Sequence, residues 1–303
     1  MAQSVNRPEH KAAPVVLSIA GFDPSSGAGV TADIKTIAAH GCYGATCITA
    51  LTVQNTRGVR AVEVVRPEVV RASLRELAAD LPISAIRIGM LGSAAVAEVV
   101  AEFLESTRLP ITVLDPIVRA SSGAELLEPA GVAILRQRML PLVSVVTPNV
   151  EEVAVLAGTP VNGPASAAVG LLGADAEPRL QAAVRAAEVL LNQGVQAIVV
   201  TGGHLEKPND VLLWRWEGIL QLRSFPSRRI ESRSTHGTGC AFASALACRL
   251  ALGAPLPEAV AGAQQYVLRA IETAERIGQG TGPINHLWPL VQRPQRGEPG
   301  DSF

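Results

Sequence analysis

The stretch Val15-Val16-Leu17-Ser18-Ile19-Ala20 runs straight into Gly21-Phe22-Asp23-Pro24-Ser25-Ser26-Gly27-Ala28-Gly29. A short, almost wholly apolar run reads as a strand covered on both faces. The polar, glycine-rich continuation reads as a loop at its carboxyl end. The same arrangement recurs down the chain. Residues 46–53 lead to Gln54-Asn55, 85–88 to Gly89-Met90, and 111–114 to Asp115-Pro116. Residues 143–147 lead to Pro148-Asn149, and 196–201 to Gly202-Gly203-His204. Between these runs lie segments at helical spacing: 67–81, 94–104, 178–192 and 241–252. Strand, helix, strand repeated this often predicts an α/β fold with a mostly parallel sheet and right-handed crossovers. Residues 214–224 alternate and read as a late antiparallel pair. Ligands of open α/β sheets bind beyond the carboxyl ends of the strands, so the six polar strand ends are expected to converge on one crevice.

The chain has 303 residues, 48% hydrophobic and 17% charged, which excludes disorder. Residues 15–290 read as one domain, with a flexible tail at 1–14 and a polar tail at 291–303. A formal charge of −1, without a dense Lys/Arg run, argues against nucleic acid as a partner. All but three of the 26 basic residues are Arg, so lysine chemistry is confined to Lys11, Lys35 and Lys207. Four cysteines without a C-x-x-C pair read as reduced thiols in a cytoplasmic protein. The five histidines lack metal-ligand spacing, so no zinc site is expected. Neither a signal peptide nor a membrane span is apparent. Residues 163–176, rich in Ala and Gly, read as a surface loop or a loosely held helix.

The sharpest local signal is Ser234-Thr235-His236-Gly237-Thr238-Gly239-Cys240 ahead of the small-residue helix 241–252. A Gly-x-Gly turn feeding a helix aims unpaired N–H groups and the positive end of the dipole at one point, which suits an anion. It is no Walker A loop, because the lysine is missing. Cys240, in the first helical turn, is expected to have a lowered thiol pKa and to serve as base or nucleophile. Asn149-Val150-Glu151-Glu152 opens a helix after a strand. Its spacing fits either a capping box or a hard-cation site that Asp115 could join through water.

Together these motifs resemble the hydroxymethylpyrimidine/phosphomethylpyrimidine kinases of thiamine biosynthesis, in the ribokinase-like superfamily. The resemblance rests on Ala20 to Gly29, Thr49-Ala50-Leu51-Thr52-Val53-Gln54-Asn55-Thr56, Ile88-Gly89-Met90-Leu91, Leu114-Asp115-Pro116, Thr147-Pro148-Asn149-x-x-Glu152 and Thr235 to Cys240. It implies a three-layer α/β/α sandwich and ATP- and Mg²⁺-dependent phosphorylation of 4-amino-5-hydroxymethyl-2-methylpyrimidine, first to the monophosphate and then to the diphosphate. It further implies Gln54 and Met90 on the pyrimidine, with Asp23 and Asp33 in the segment over it. Gly237, Thr238 and Gly239 would form the anion hole and Cys240 the base. Asn149, Thr201 and Thr235 would lie on the nucleotide side, with Glu152 and Asp115 at the metal. A homodimer is expected. Pyridoxal kinases are close neighbours in the superfamily, and a non-catalytic pyrimidine-binding regulatory module is the reading from another class. Two positions depart from the pattern. Thr201 stands where a Lys is common, which removes a positive charge near the ATP phosphates. Ser26 stands where Gly is frequent, which is mild provided its φ is negative.

Overall fold

The computed structural model describes residues 12–107, 111–119, 123–158, 166–173 and 175–290. In chain order, its first half runs β1 (Val15–Phe22), α1 (Gly29–Ala39), β2 (Tyr43–Asn55), β3 (Gly58–Val64), α2 (Pro67–Asp80), β4 (Ile83–Ile88), α3 (Ala94–Ser106), β5 (Thr112–Leu114), α4 (Pro129–Ile134) and β6 (Val145–Val146). The rest runs α5 (Val150–Ala157), α6 (Ala167–Leu172), α7 (Pro178–Asn192), β7 (Ala197–Val200), β8 (Asn209–Trp216), β9 (Ile219–Pro226), β10 (Ser234–His236), α8 (Thr238–Ala251), α9 (Leu256–Glu272) and β11 (Gly282–Pro283).

Nine strands form one sheet in the order β3-β2-β1-β4-β5-β6-β7-β8-β9. The pairs from β2 through β7 are parallel, and β3, β8 and β9 join antiparallel. All six strands expected from the apolar runs lie in this sheet, and the late antiparallel pair is β8 with β9. Alternate residues of β1 feed opposite layers. Leu17 and Ile19 pack with Val70, Leu74, Val100 and Leu190 from α2, α3 and α7. Val16 faces Ile37, Phe242, Leu246 and Tyr266 from α1, α8 and α9. The result is the three-layer α/β/α sandwich. From β1 the chain steps outward to β2 and β3, then returns across to β4 and β5, so the sheet reverses winding direction between β1 and β4. The carboxyl ends of those two strands open the crevice.

One expectation is corrected here, and one strand appears that the apolar runs did not announce. The strand at 46–53 extends over Tyr43–Asn55, and its outer half is not covered on both faces: Leu51 is 47% and Val53 61% exposed. β3 forms the edge beyond it; its Arg60 and Glu63 interrupt the apolar pattern that would have marked a strand. Of the stretch 163–176, positions 163–165 and 174 lie outside the described residues, and α6 is a single short helix. Residues 1–11 and 291–303, most of the two expected tails, also lie outside them. Among the described residues, no helix is long and apolar enough to cross a membrane.

Candidate active site

Arg87, in β4, is wholly buried. Its Nη1 donates to Asp33 Oδ2 at 3.0 Å and its Nη2 to Asp115 Oδ2 at 2.6 Å. The Cys240 thiol lies within electrostatic reach of the guanidinium. Burial works against the Arg87 charge, but Asp33, Cys240 and Asp115 outweigh it and hold its pKa above the ordinary value. Gly89 makes room for this side chain: a Cβ there would stand 2.1 Å from Arg87 Nη1. Sequence reading overlooked Arg87 because it took 85–88 as an apolar strand. The signal was the charge itself, since a guanidinium in a strand covered on both faces must find partners.

The cluster corrects two expectations. Asp33 does not lie over the crevice. It is wholly buried on α1, with Ser18 Oγ and Arg87 Nη1 donating to Oδ2 and Ser244 Oγ to Oδ1. Burial raises its pKa against the pull of Arg87. Nor is the Cys240 thiol lowered: burial pushes it up to about 11, and Asp33 and Asp115 add to that rise. Arg87 and the Gly29 N–H at the start of α1 oppose it. The helix terminus alone would favour a thiolate, but desolvation of a buried charge is the larger effect.

Gly237, with φ +87°, precedes α8 as its N-cap, and no side chain caps that terminus. A Cβ on Gly237 would stand 1.8 Å from the Gly27 carbonyl oxygen, and one on Gly27 would stand 2.3 Å from His236 Cδ2. The two glycine loops therefore meet backbone to backbone. Asp23 organises the first of them: Oδ1 accepts from Ser25 N and Oγ at 2.8 and 2.7 Å, and Oδ2 from Ala28 N at 3.0 Å. Within this loop Ser26 has φ +59°, so the proviso of a negative φ fails. Its carbonyl is held by Lys35 Nζ at 2.8 Å.

His236 joins the two loops. Its Nε2 lies 2.7 Å from Asp23 Oδ2 and 3.2 Å from Gln54 Nε2. A carboxylate only accepts, so Nε2 carries the proton of the Asp23 pair. The neighbouring amide is then satisfied with its oxygen toward His236 and its NH₂ toward Thr52 Oγ1, which itself donates to Phe22 O. Burial pushes Asp23 up, but the hydrogen bonds from His236 and Ser25 prevail and lower it. Met90 is buried against Ala50 and Leu126 at the floor of the same region, its carbonyl accepting from Thr49 Oγ1 at 2.5 Å.

On the other flank, Asn149 and Glu152 form a complete capping box: Asn149 Oδ1 accepts from Glu151 N and Glu152 N, and Glu152 Oε2 from Asn149 N at 2.9 Å. Thr201 N–H donates to Pro148 O at 2.9 Å, which brings Thr201 beside Asn149; Thr235 is exposed on β10. Burial, with Asp115 next, pushes Glu152 up to about 8, while burial pushes Asp115 to about 6 against Arg87. Two buried carboxyls whose pKa values are both raised, Glu152 partly by Asp115, fit a divalent cation, whose charge would favour the ionised form of both. Asp115 also borders the anion turn, its Oδ2 lying 4.0 Å from where a Gly239 Cβ would be. The structure thus gathers Cys240, Gly237, Thr238, Gly239, Gln54, Met90, Asp23, Asp115, Asn149, Glu152 and Thr201 at one end of the sheet, with Asp33 beneath.

Replacing Arg87 by Met leaves two buried carboxylates without their counterion. We expect a loss of about 3–5 kcal/mol in denaturant unfolding, and a fall in melting temperature on the order of 10 °C. Arg87→Met as stable as wild type would mean that the ion cluster contributes nothing. Glu152 supplies a pH signature. Its pKa is raised from 4.5 to about 8 in the fold, so the native state keeps a proton that the unfolded state releases. Its stabilisation is full below about pH 4.5 and is lost as pH rises toward 8. Melting curves of wild type without metal should therefore fall between pH 5 and 8 relative to those of Glu152→Gln, and Mg²⁺ at pH 8 should restore wild type more than the variant. Parallel curves would remove the raised pKa.

The family model described as phosphomethylpyrimidine kinase matches residues 23–285. A hydroxymethylpyrimidine/phosphomethylpyrimidine kinase of Rhizobium meliloti is 42% identical over 279 residues, covering 90% of this chain and 97% of that protein. A thiamine biosynthesis bifunctional protein of Geobacter sulfurreducens is 39% identical over 272 residues, covering 90% of this chain and 52% of its own. Among solved structures, the pyridoxal kinase of Staphylococcus aureus in complex with AMP-PCP and pyridoxal superposes with a TM-score of 0.75 at 28% identity, covering 91% of this chain and 94% of that one. The match runs from the Asp23 loop through the anion turn and on to residue 285, and by it the chain belongs to the phosphomethylpyrimidine kinase family.

Proposed function

We propose that residues 15–290 form a single kinase domain that transfers the γ-phosphoryl group of ATP to the hydroxymethyl group of 4-amino-5-hydroxymethyl-2-methylpyrimidine, and then to the resulting monophosphate, in thiamine biosynthesis. One observation carries the reading. The uncapped N-terminus of α8 stands between the Gln54–His236–Asp23 cluster and the Asp115–Glu152 carboxylates. Phosphoryl transfer requires that order, with an acceptor on one side, an anion site in the middle, and nucleotide and metal on the other. The names of the Rhizobium and Geobacter relatives support the substrate and the pathway.

In this reading Gln54 and Met90 hold the pyrimidine, and Asp23 orders the loop over it. Gly237, Thr238 and Gly239 receive the transferred phosphoryl group. Asn149, Thr201 and Thr235 face the nucleotide, Thr201 without charge. Glu152 and Asp115 would hold Mg²⁺, which when bound neutralises charge on the phosphate oxygens. Asp33 takes no part in binding. Cys240 takes the alcohol proton. Burial raises its thiol to about 11, and Arg87 and the Gly29 N–H are the groups that oppose that rise and favour the thiolate.

A homodimer is part of the proposal, supported by the exposed Leu51 and Val53 on β2 beside the sheet edge. Analytical ultracentrifugation reads this directly, and a monomer at micromolar concentration would remove it. Four free thiols support the cytoplasmic setting, which cell fractionation tests. The likeness to the Staphylococcus aureus pyridoxal kinase favours pyridoxal as a second substrate reading.

A coupled assay of ATP consumption with the pyrimidine alcohol, its monophosphate and pyridoxal decides among these. Turnover of both pyrimidines is expected. Turnover of pyridoxal alone would replace the reading, and pyrimidine binding without turnover would leave a regulatory module. Cys240→Ser should slow phosphorylation of the alcohol by roughly 10²–10⁴-fold, the usual worth of a general base. The monophosphate should suffer less, because its second pKa lies near ~6 and its oxygen needs no protein base. Equal losses with both acceptors would withdraw the base assignment.

A further inference from the structure

A short segment near the end of the described chain touches both loops of the site. Gly282 N–H donates to Arg233 O at 2.8 Å, and Ile284 N–H to His236 O at 3.4 Å. β11 thus runs parallel to β10, the strand that enters the anion turn. Two residues on, His286 is buried, with Nε2 at 3.1 Å from the Gly27 carbonyl and Nδ1 at 3.4 Å from Thr36 Oγ1. A carbonyl only accepts, so Nε2 carries the proton and Nδ1 takes the Thr36 hydroxyl. Burial pushes His286 down to about 4, which keeps the ring neutral and this tautomer available. The segment is itself anchored. Tyr266 OH donates to His286 O, Asn285 N–H to Ala270 O at 2.9 Å, and Trp288 Nε1 to Tyr266 O at 3.1 Å, all on α9.

The carbonyl held by His286 is the one that packs against the Cα of Gly237. Gly27 is buried, so this oxygen depends on a protein donor. We propose that His286 is a positioning residue: through Gly27 O it sets the spacing between the Asp23 loop and the anion turn, with β11 as the strap that holds both against α9. This rests on the kinase reading, in which those loops carry the acceptor and the phosphoryl group. An error on the order of 1 Å in such spacing costs about 10²-fold in rate.

The test uses the full chain carrying His286→Ala, His286→Gln or Tyr266→Phe. The Gln side chain retains an N–H at about the reach of Nε2. Steady-state kinetics with the pyrimidine alcohol should show kcat reduced about 10–100-fold in His286→Ala, with KM for the alcohol and for ATP changed much less. His286→Gln should recover most of kcat. Amide hydrogen exchange should quicken in both 27–29 and 237–239 for His286→Ala, on the order of tenfold, and less for His286→Gln. Tyr266→Phe, which removes the hydroxyl bound to the His286 carbonyl and to Thr36 Oγ1 but leaves the imidazole in place, should move both readouts the same way by a smaller amount, and it keeps the test open if His286→Ala fails to fold. Equal kcat in wild type and His286→Ala, losses that follow melting temperature alike in Ala and Gln variants, or exchange that quickens only within 282–288 would each overturn the proposal. If wild type does not phosphorylate the pyrimidine, the kinase reading falls, and exchange in the two loops still decides the role of His286.

Discussion

A guanidinium removed from water is the constraint around which the site is arranged. Arg87 contributes no apolar contact that a leucine could not supply, and burying its charge without partners would be prohibitive. The fold answers with Asp33 from α1, Asp115 from the end of β5 and the Cys240 thiol from α8. These come from segments far apart in sequence, so satisfying one cation fixes the relative placement of two helices and two strands. The same arrangement places Asp115 beside the anion turn and Cys240 behind it. The ion cluster contributes specificity of arrangement more than net stability, and it leaves the cysteine in a field with Arg87 opposing two carboxylates.

Above that cluster, geometry is set by close backbone approach. Gly27 and Gly237 face each other with no space for side chains, so the loop that follows β1 and the turn that opens α8 form one wall. Three polar side chains hold the wall together at different depths: His236 between Asp23 and Gln54 near the crevice, Lys35 on the Ser26 carbonyl, and His286 on the Gly27 carbonyl from behind. Ser26 keeps a positive φ within this wall. That strain costs about 1–2 kcal/mol for a non-glycine residue and persists because Asp23 and Lys35 bind the backbone on either side.

Charge is distributed unevenly across the crevice. Toward the Gln54 side, Asp23 is held as an anion by hydrogen bonds from His236 and Ser25. Toward the Asn149 side, burial and then Asp115 push Glu152 up to about 8, while burial raises Asp115 only to about 6 against Arg87. Asp23 serves loop structure, and in the proposed kinase reading a divalent cation would favour the ionised form of Glu152 and Asp115.

Much of this was legible in the order of residues. Strands covered on both faces leave unbroken apolar runs, so β1, β4, β5, β6 and β7 announced themselves, and the polar residues that followed each one marked a common edge. The turn before α8 was equally plain, because a glycine pair ahead of small helical residues is a local pattern. Edge strand β3, whose charges break the run, was not visible in this way, nor was the exposure of Leu51 and Val53. What only the tertiary structure decided was the state of the ionisable groups. Asp33 looked like a crevice residue and proved wholly buried; Cys240 stood at a helix start that favours a thiolate, yet burial raised it. Arg87 read as one more strand residue, and His286 as a histidine without metal-ligand spacing. Strand and helix patterns depend on neighbours along the chain, whereas charge, pKa and hydrogen-bond satisfaction depend on which distant segments close over a group and exclude water from it.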